Sequence, residues 1–305
     1  MTITPVSPPT PPNGDLERAL YVWIPTVGGT YDPMGSSTAM QNFLNFCSTN
    51  GVNTVFLDMW LYLGGSNWTS AHATTVQEFL HYCSESGIRV MALAGNTNWG
   101  VDQQWVAEDI LLPIRNLNLM AQSNTTYPSE GFKGLQYDVE YWTVSGYSAA
   151  VSGSGLCDLM NASRKYLNIP VGCYADNYLA NTSSNAQTYT YNGVTQIEGL
   201  QLVANADFVA VACYYDLASY QEPDLQPWFN YASQAGLALN KGLYCGSLTD
   251  SGYGSESYYT GASGAKATME AQHTLISNFF TASPNTNMTF LGQSIEQYSS
   301  YDTMT

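Results

Sequence analysis

Residues 133–141 read Lys-Gly-Leu-Gln-Tyr-Asp-Val-Glu-Tyr. Side chains alternate across a β-strand, so Gln136, Asp138 and Glu140 share one face while Leu135, Tyr137 and Val139 share the other. Carboxylates at i and i+2 stand about 6.5 to 7 Å apart along a strand. Close together and partly removed from water, they cannot both ionise freely, and one holds its proton to higher pH. A carboxylic acid still protonated near neutrality is the proton donor that glycosidic bond cleavage requires. A solvated acidic pair at a strand end is the plainer reading, so the surrounding elements must discriminate.

Those elements repeat weakly along the chain. Residues 42–51 form an amphipathic helix with a glycine stop and lead into an apolar strand at 52–58. Residues 78–87 do the same before 88–94, and 228–236 before 241–245. A fourth unit, 159–175, follows the plan with Asn168 near the turn. Helix, stop and short apolar strand in succession imply parallel strands with helical crossovers. Eight strand candidates result, at 20–24, 54–58, 89–94, 134–140, 170–174, 208–214, 242–245 and 289–295. Eight parallel strands in 305 residues fit a (β/α)₈ TIM barrel with a reduced last helix. A doubly wound open sheet is the competing architecture, but no Gly-rich phosphate loop follows the first strand. Residues 1–17 are expected to be a Pro-rich tether unable to pack a core, and 18–305 a single barrel domain. Two long rim loops are expected, at 176–205 after the fifth strand and 246–265 after the seventh.

The C-terminal strand ends of such a barrel carry the chemistry. Trp23 closes the first strand, and Asp58 and Trp60 the second. Asn96 and Trp99 follow the third, and Asp138, Glu140 and Trp142 the fourth. Tyr174 and Asp176 close the fifth, Tyr214, Tyr215 and Asp216 the sixth. Tyr244 lies on the seventh, and Glu296 ends the eighth. Aromatic faces stack on the apolar faces of sugar rings while carboxylates and amides bind hydroxyls, so the mixture suits a saccharide cleft. Part of the aromatic set is expected to pack beneath the rim instead.

Composition narrows the partners. Charged residues are only 10% of the chain, with a formal net charge of −16. That field repels phosphates, which disfavours nucleic acid and anionic membrane, and a neutral oligo- or polysaccharide is compatible with it. No apolar run reaches membrane-spanning length, so no membrane insertion is expected. Polarity rests on Ser, Thr, Asn, Gly and 23 Tyr, which suits an extracellular or secreted protein, although no signal peptide is visible. Six cysteines lack any CxxC pairing, and His72, His81 and His273 are scattered, so no zinc site is expected. Cys173, Cys213 and Cys245 fall in core strands, whereas Cys47 and Cys83 sit at matching helix ends where a bridge is conceivable. A cation site made of Asp58, Asp138 and Asp176 is the one metal option. No cofactor loop and no G-x-S-x-G elbow is present. The oligomeric state is not legible.

The segment 133–141 resembles the fourth-strand motif of family-eighteen glycoside hydrolases, the chitinases and endo-β-N-acetylglucosaminidases, which reads D-G-x-D-x-D-x-E. Gly134, Asp138 and Glu140 match, while Lys133 and Gln136 replace the first two acids. Residues 206–216 resemble that family's sixth strand, with Tyr214 matching its tyrosine, Tyr215 replacing its acid or amide, and Asp216 one residue late. Residues 290–296 resemble its eighth strand, with Glu296 near the usual tryptophan. The resemblance implies a barrel hydrolase acting on a glycan containing N-acetylhexosamine. Glu140 would protonate the leaving oxygen. Asp138 would orient the substrate acetamido group, whose carbonyl attacks, and Tyr214 would hydrogen-bond that group. If Glu296 faces Glu140 across the cleft, a two-carboxylate mechanism becomes available. A catalytically inactive carbohydrate-binding or structural protein on the same scaffold is the alternative.

Overall fold

The computed structural model describes residues 3–12, 16–181, 186–234, 241–250, 253–258, 265–282 and 288–304. Eight parallel strands close into a barrel. In chain order they are β1 (Glu17–Val22), β2 (Thr54–Asp58), β3 (Arg89–Ala94), β4 (Leu135–Tyr137) and β5 (Val171–Asp176). A separate antiparallel hairpin, β6 (Thr188–Tyr191) and β7 (Val194–Ile197), precedes β8 (Phe208–Ala212), β9 (Lys241–Leu248) and β10 (Met288–Glu296). The ring runs β1-β10-β9-β8-β5-β4-β3-β2.

Local chemistry makes each helix-to-strand unit. Helix α1 (Ser37–Asn50) is capped by Ser36, whose Oγ accepts from Ala39 N at 3.1 Å. It ends at Gly51 with φ +66°, where a Cβ would lie 2.6 Å from the Thr10 carbonyl oxygen. After a one-turn helix α2 (Trp60–Leu63), helix α3 (Ser70–Glu85) is capped by Thr69. Helix α4 spans Leu112–Ser123, and α5 (Ser154–Leu167) stops at Asn168 in the left-handed region, φ 54°. Helices α6 (Glu198–Asn205), α7 (Ala218–Gln234) and α8 (Ala265–Ala282) follow, and the last, α9, is the short segment Tyr298–Thr303. No helix among the described residues is long and apolar enough to cross a membrane.

The barrel interior is aromatic. Tyr21, Phe56, Phe208 and Tyr244 pack ring on ring, with centroids 4.9 Å apart for Tyr21–Phe56 and 6.1 Å for Phe56–Phe208. Room for these rings comes from Gly172, where a Cβ would stand 2.4 Å from the Phe208 ring. Each such ring buries far more apolar surface than Val or Leu, so few residues fill the interior.

Several expectations change. The fourth strand, expected at 134–140, pairs only over Leu135–Tyr137. Residues 3–12, expected as a tether, lie against the helix ends: Thr4 N donates to Gln41 Oε1 at 2.7 Å, Val6 N to Ser86 Oγ at 3.1 Å, and Ile3 is buried. Residues 1–2 and 13–15 of that segment lie outside the described residues. The loop after β5 holds the β6–β7 hairpin, with Asn192 and Gly193 both at positive φ in its turn; 182–185 are outside the described residues. The loop expected from 246 begins later, because β9 runs on to Leu248; 251–252 and 259–264 are not described. All six cysteines are free and buried, so Cys47 and Cys83 are not bridged.

Candidate active site

Asp138 N still donates to the Ala94 carbonyl at 3.0 Å, so the backbone keeps strand-like contact one residue beyond β4. The approach is close enough that a Cβ on Gly95 would lie 2.0 Å from the Asp138 carbonyl oxygen. Tyr137 faces outward, its hydroxyl 2.7 Å from Ser163 Oγ on α5. Alternation therefore turns Gln136 and Asp138 to the barrel axis. The Gln136 amide donates to the Tyr21 hydroxyl just beneath the site.

Three carboxyls meet above that pair. Asp138 Oδ1 is buried and has no hydrogen-bond partner. Burial pushes the Asp138 pKa well above the ordinary carboxylate range, and the charges of Glu296 and Glu140 add to the rise. Glu140, just past the strand, is half-buried; burial raises its pKa, followed by the charges of Glu296 and Asp176. Glu296 ends β10. Burial raises it too, but two donors oppose the rise: Tyr214 OH reaches Oε2 at 2.6 Å and Trp23 Nε1 reaches Oε1 at 3.3 Å. Glu296 is thus solvated by protein donors on both oxygens, while Asp138 lacks a partner on one. Such divided environments separate a proton-holding acid from an anion within one site.

Aromatic rings form the walls. Trp142 stacks on Tyr174 with centroids 6.2 Å apart and planes at 28°, and the Tyr174 hydroxyl donates to Tyr214 OH at 3.2 Å. Trp23, Asp138, Glu140, Trp142, Tyr174, Tyr214 and Glu296 therefore make one connected cluster. Asp176 joins through its charge on Glu140, its own pKa raised by burial. Asp58 lies beside the cluster, in a side pocket of about 470 Å³ that it shares with Trp23 and Tyr31. Its oxygens accept from Trp60 N at 3.0 Å and Ile24 N at 3.5 Å, and burial raises its pKa.

Other expected residues do different work. Tyr244 is not at the rim: its hydroxyl donates to Glu17 and accepts from Arg89, at the opposite end of the barrel. Tyr244 sits mid-strand, and its inward phase sends a long side chain down the axis. Trp99 packs edge-on to Tyr137, outside the barrel wall. Asn96 uses its side chain on Asn98 N at 2.9 Å, capping a short turn. Trp60 is 43% exposed and folds over Gly64 of its own helix. Tyr215 lies against Tyr220, and Asp216 N bonds the Ser255 carbonyl, so neither is tied to the carboxyl cluster by a hydrogen bond. No group of three or more potential metal ligands converges among the described residues, so Asp58, Asp138 and Asp176 do not form the cation site considered above.

Two residues escaped the sequence reading. Tyr21 precedes Trp23 by two, so alternation turns both to one face, and the Tyr21 hydroxyl accepts from the Gln136 amide. Glu198 is fully buried, accepting from Gln187 N at 2.6 Å and Tyr141 OH at 3.4 Å, and anchors the hairpin segment of the loop that follows β5.

This fold and site define a (β/α)₈ barrel whose mouth is lined by carboxyls and aromatic rings. No family model matches the chain, and no curated protein matches it by sequence. Among solved structures, it is similar to an exo-β-1,4-mannosidase from an Opitutaceae bacterium, with a TM-score of 0.52 and 12% identity over 98% of this chain and 55% of that one. It is also similar to a chitinase of Chromobacterium violaceum, with a TM-score of 0.42 and 12% identity over 77% and 68% of the two chains. A third is a group II chitinase catalytic domain of Ostrinia furnacalis, with a TM-score of 0.42 and 15% identity over 77% and 64%. The likeness is one of fold, and the chain spans 55% to 68% of these proteins' lengths.

Proposed function

We propose that this protein hydrolyses a glycosidic bond, with Glu140 as the general acid. One observation carries the reading: three carboxyls with raised pKa values share the barrel mouth with Trp23, Trp142, Tyr174 and Tyr214. Glu140, half-buried and facing two other acids, keeps a proton to give the departing oxygen as the C–O bond breaks. The positive charge then growing at the anomeric carbon needs a negative partner. In a glycan bearing N-acetylhexosamine, the acetamido carbonyl supplies it, oriented by Asp138 and hydrogen-bonded by Tyr214. In a glycan lacking that group, Glu296 is the available anion. Water completes the reaction, returning the proton to Glu140.

The test is Glu140→Gln, assayed for new reducing ends on N-acetylchitooligosaccharide, mannooligosaccharide and cellooligosaccharide substrates. Cleavage by wild type and its loss in the variant, with ligand affinity kept, is the expected result. Equal turnover by both proteins would refute the assignment. Tight binding by wild type with no cleavage would make the chain a carbohydrate-binding protein instead.

A further inference from the structure

A second groove lies away from the carboxyl cluster, along the barrel flank. It has a volume of about 850 Å³ and is bounded by the β1–α1 loop, α1, the first turn of α8, and α9. Between α1 and α9 the contact is aromatic, with Phe46 packed edge-on against Tyr298 and Tyr301 at 5.0 and 5.5 Å.

The groove lies next to the candidate site. Tyr31 is a wall of both this groove and the 470 Å³ pocket that contains Trp23 and Asp58, and Trp23 donates to Glu296. On its outer wall α1 presents Asn42, Asn45 and Thr49, spaced three and four residues apart on one exposed face. Aromatic rings form the floor: Tyr298 lies 5.0 Å from Phe46 and 6.0 Å from Tyr31. Three charged residues line the groove, Asp32, Lys266 and the exposed Asp302. Asp32 accepts from Gly28 N, Met34 N and Tyr62 OH, at 2.7, 2.9 and 2.6 Å. The Lys266 ammonium sits over the Tyr301 ring, 4.6 Å from its centroid. Exposed amides and hydroxyls beside aromatic faces match the hydroxyls and apolar faces of sugar rings, and offer little to an anion.

We infer that this flank groove is an extended binding track for a neutral polysaccharide, continuing from the barrel mouth past Tyr31 and along α1. From Ser36 to Thr49 the helix alone offers about 20 Å of track. The inference rests on the hydrolase reading for the direction in which the chain leaves the mouth. It makes the preferred ligand a long glycan rather than a disaccharide.

The test compares ligand lengths by isothermal titration calorimetry. Glu140→Gln protein is titrated with N-acetylchitohexaose, mannohexaose and cellohexaose, and with the matching disaccharides. The same titrations follow with Asn42→Ala and Asn45→Ala added; both positions are exposed, so folding is preserved. The expected result is a hexasaccharide that binds more tightly than its disaccharide and loses about tenfold in affinity on removal of the two amides. The disaccharide, too short to reach α1, keeps its affinity. Hexasaccharide binding unaffected by the two substitutions would overturn the track, as would the absence of binding by all three hexasaccharides. So would a dimer in sedimentation that those substitutions dissociate, because the groove would then hold a second copy. Since calorimetry needs no turnover, a wild type that cleaves nothing would sink the hydrolase reading while the track is still measured.

Discussion

The Tyr214 hydroxyl donates to Oε2 of Glu296 across 2.6 Å, tying the chain just past β8 to the end of β10 over the intervening β9. A hydrogen bond to a carboxylate contributes about 1.5–3 kcal/mol. Tyr214→Phe removes this donor without removing the ring. The Glu296 pKa should then rise further, because a bond favouring its ionised form is gone. We expect kcat/KM to fall by about tenfold or more. The acid limb of the pH–rate profile should move to higher pH. A profile superimposable on wild type would show that the pair is not used.

Glu140 is raised first by burial, then by the charges of Glu296 and Asp176. Glu296→Gln deletes one charge and leaves the burial. The Glu140 pKa should therefore drop while staying above the ordinary glutamate value. Carboxyl carbon NMR of labelled protein reads this directly, even in an inactive variant. An unchanged titration would place the two groups too far apart to cooperate.

Asp138 carries a stability prediction with a defined sign. The fold holds its proton to higher pH than the unfolded chain does. Across the window from the ordinary aspartate range up to the raised folded value, the native state binds more protons, so stability declines as pH rises. Below that window the contribution is fully present. Asp138→Asn removes the titration. Its melting temperature should exceed that of wild type by more at about pH 8 than at about pH 4. A constant difference across that range would contradict the assignment.

Glu198 tests the support of the hairpin segment. Glu198→Ala strips acceptors from Gln187 N and Tyr141 OH in a buried place. Leaving such donors unsatisfied costs about 1–3 kcal/mol. Urea unfolding should show a loss of that size, and proteolysis should speed up within 186–197, the hairpin segment that Gln187 introduces.

Much of the barrel was legible because each unit carries its own punctuation. Gly51 and Asn168 end helices in the left-handed region, and the apolar strands that follow are local in sequence. The β6–β7 hairpin is marked by Asn192-Gly193 between alternating tyrosines and threonines, yet four residues on each side are short enough to match a polar loop. The inward phase of Gln136 and Asp138 came from alternation alone. The same rule could not tell how far along the axis a side chain reaches, so Tyr244 was assigned to the wrong end. Trp99 was misjudged for a related reason: residues after a strand lose its phase, and the turn capped by Asn96 carries that indole to the outer wall.

The order of amino acids by itself determined the repeating units, the acidic low-charge composition and the shared face of Gln136 and Asp138, since these depend on neighbours within a few residues. Tertiary structure alone decided that Trp23, Tyr214 and Glu296, 273 residues apart at the extremes, share hydrogen bonds. Ring closure brings the first and last strands side by side, and no local pattern encodes which loop ends will then meet. It also decided that the Asp138, Glu140 and Glu296 pKa values rise, because burial and neighbouring charge exist only once the barrel has closed.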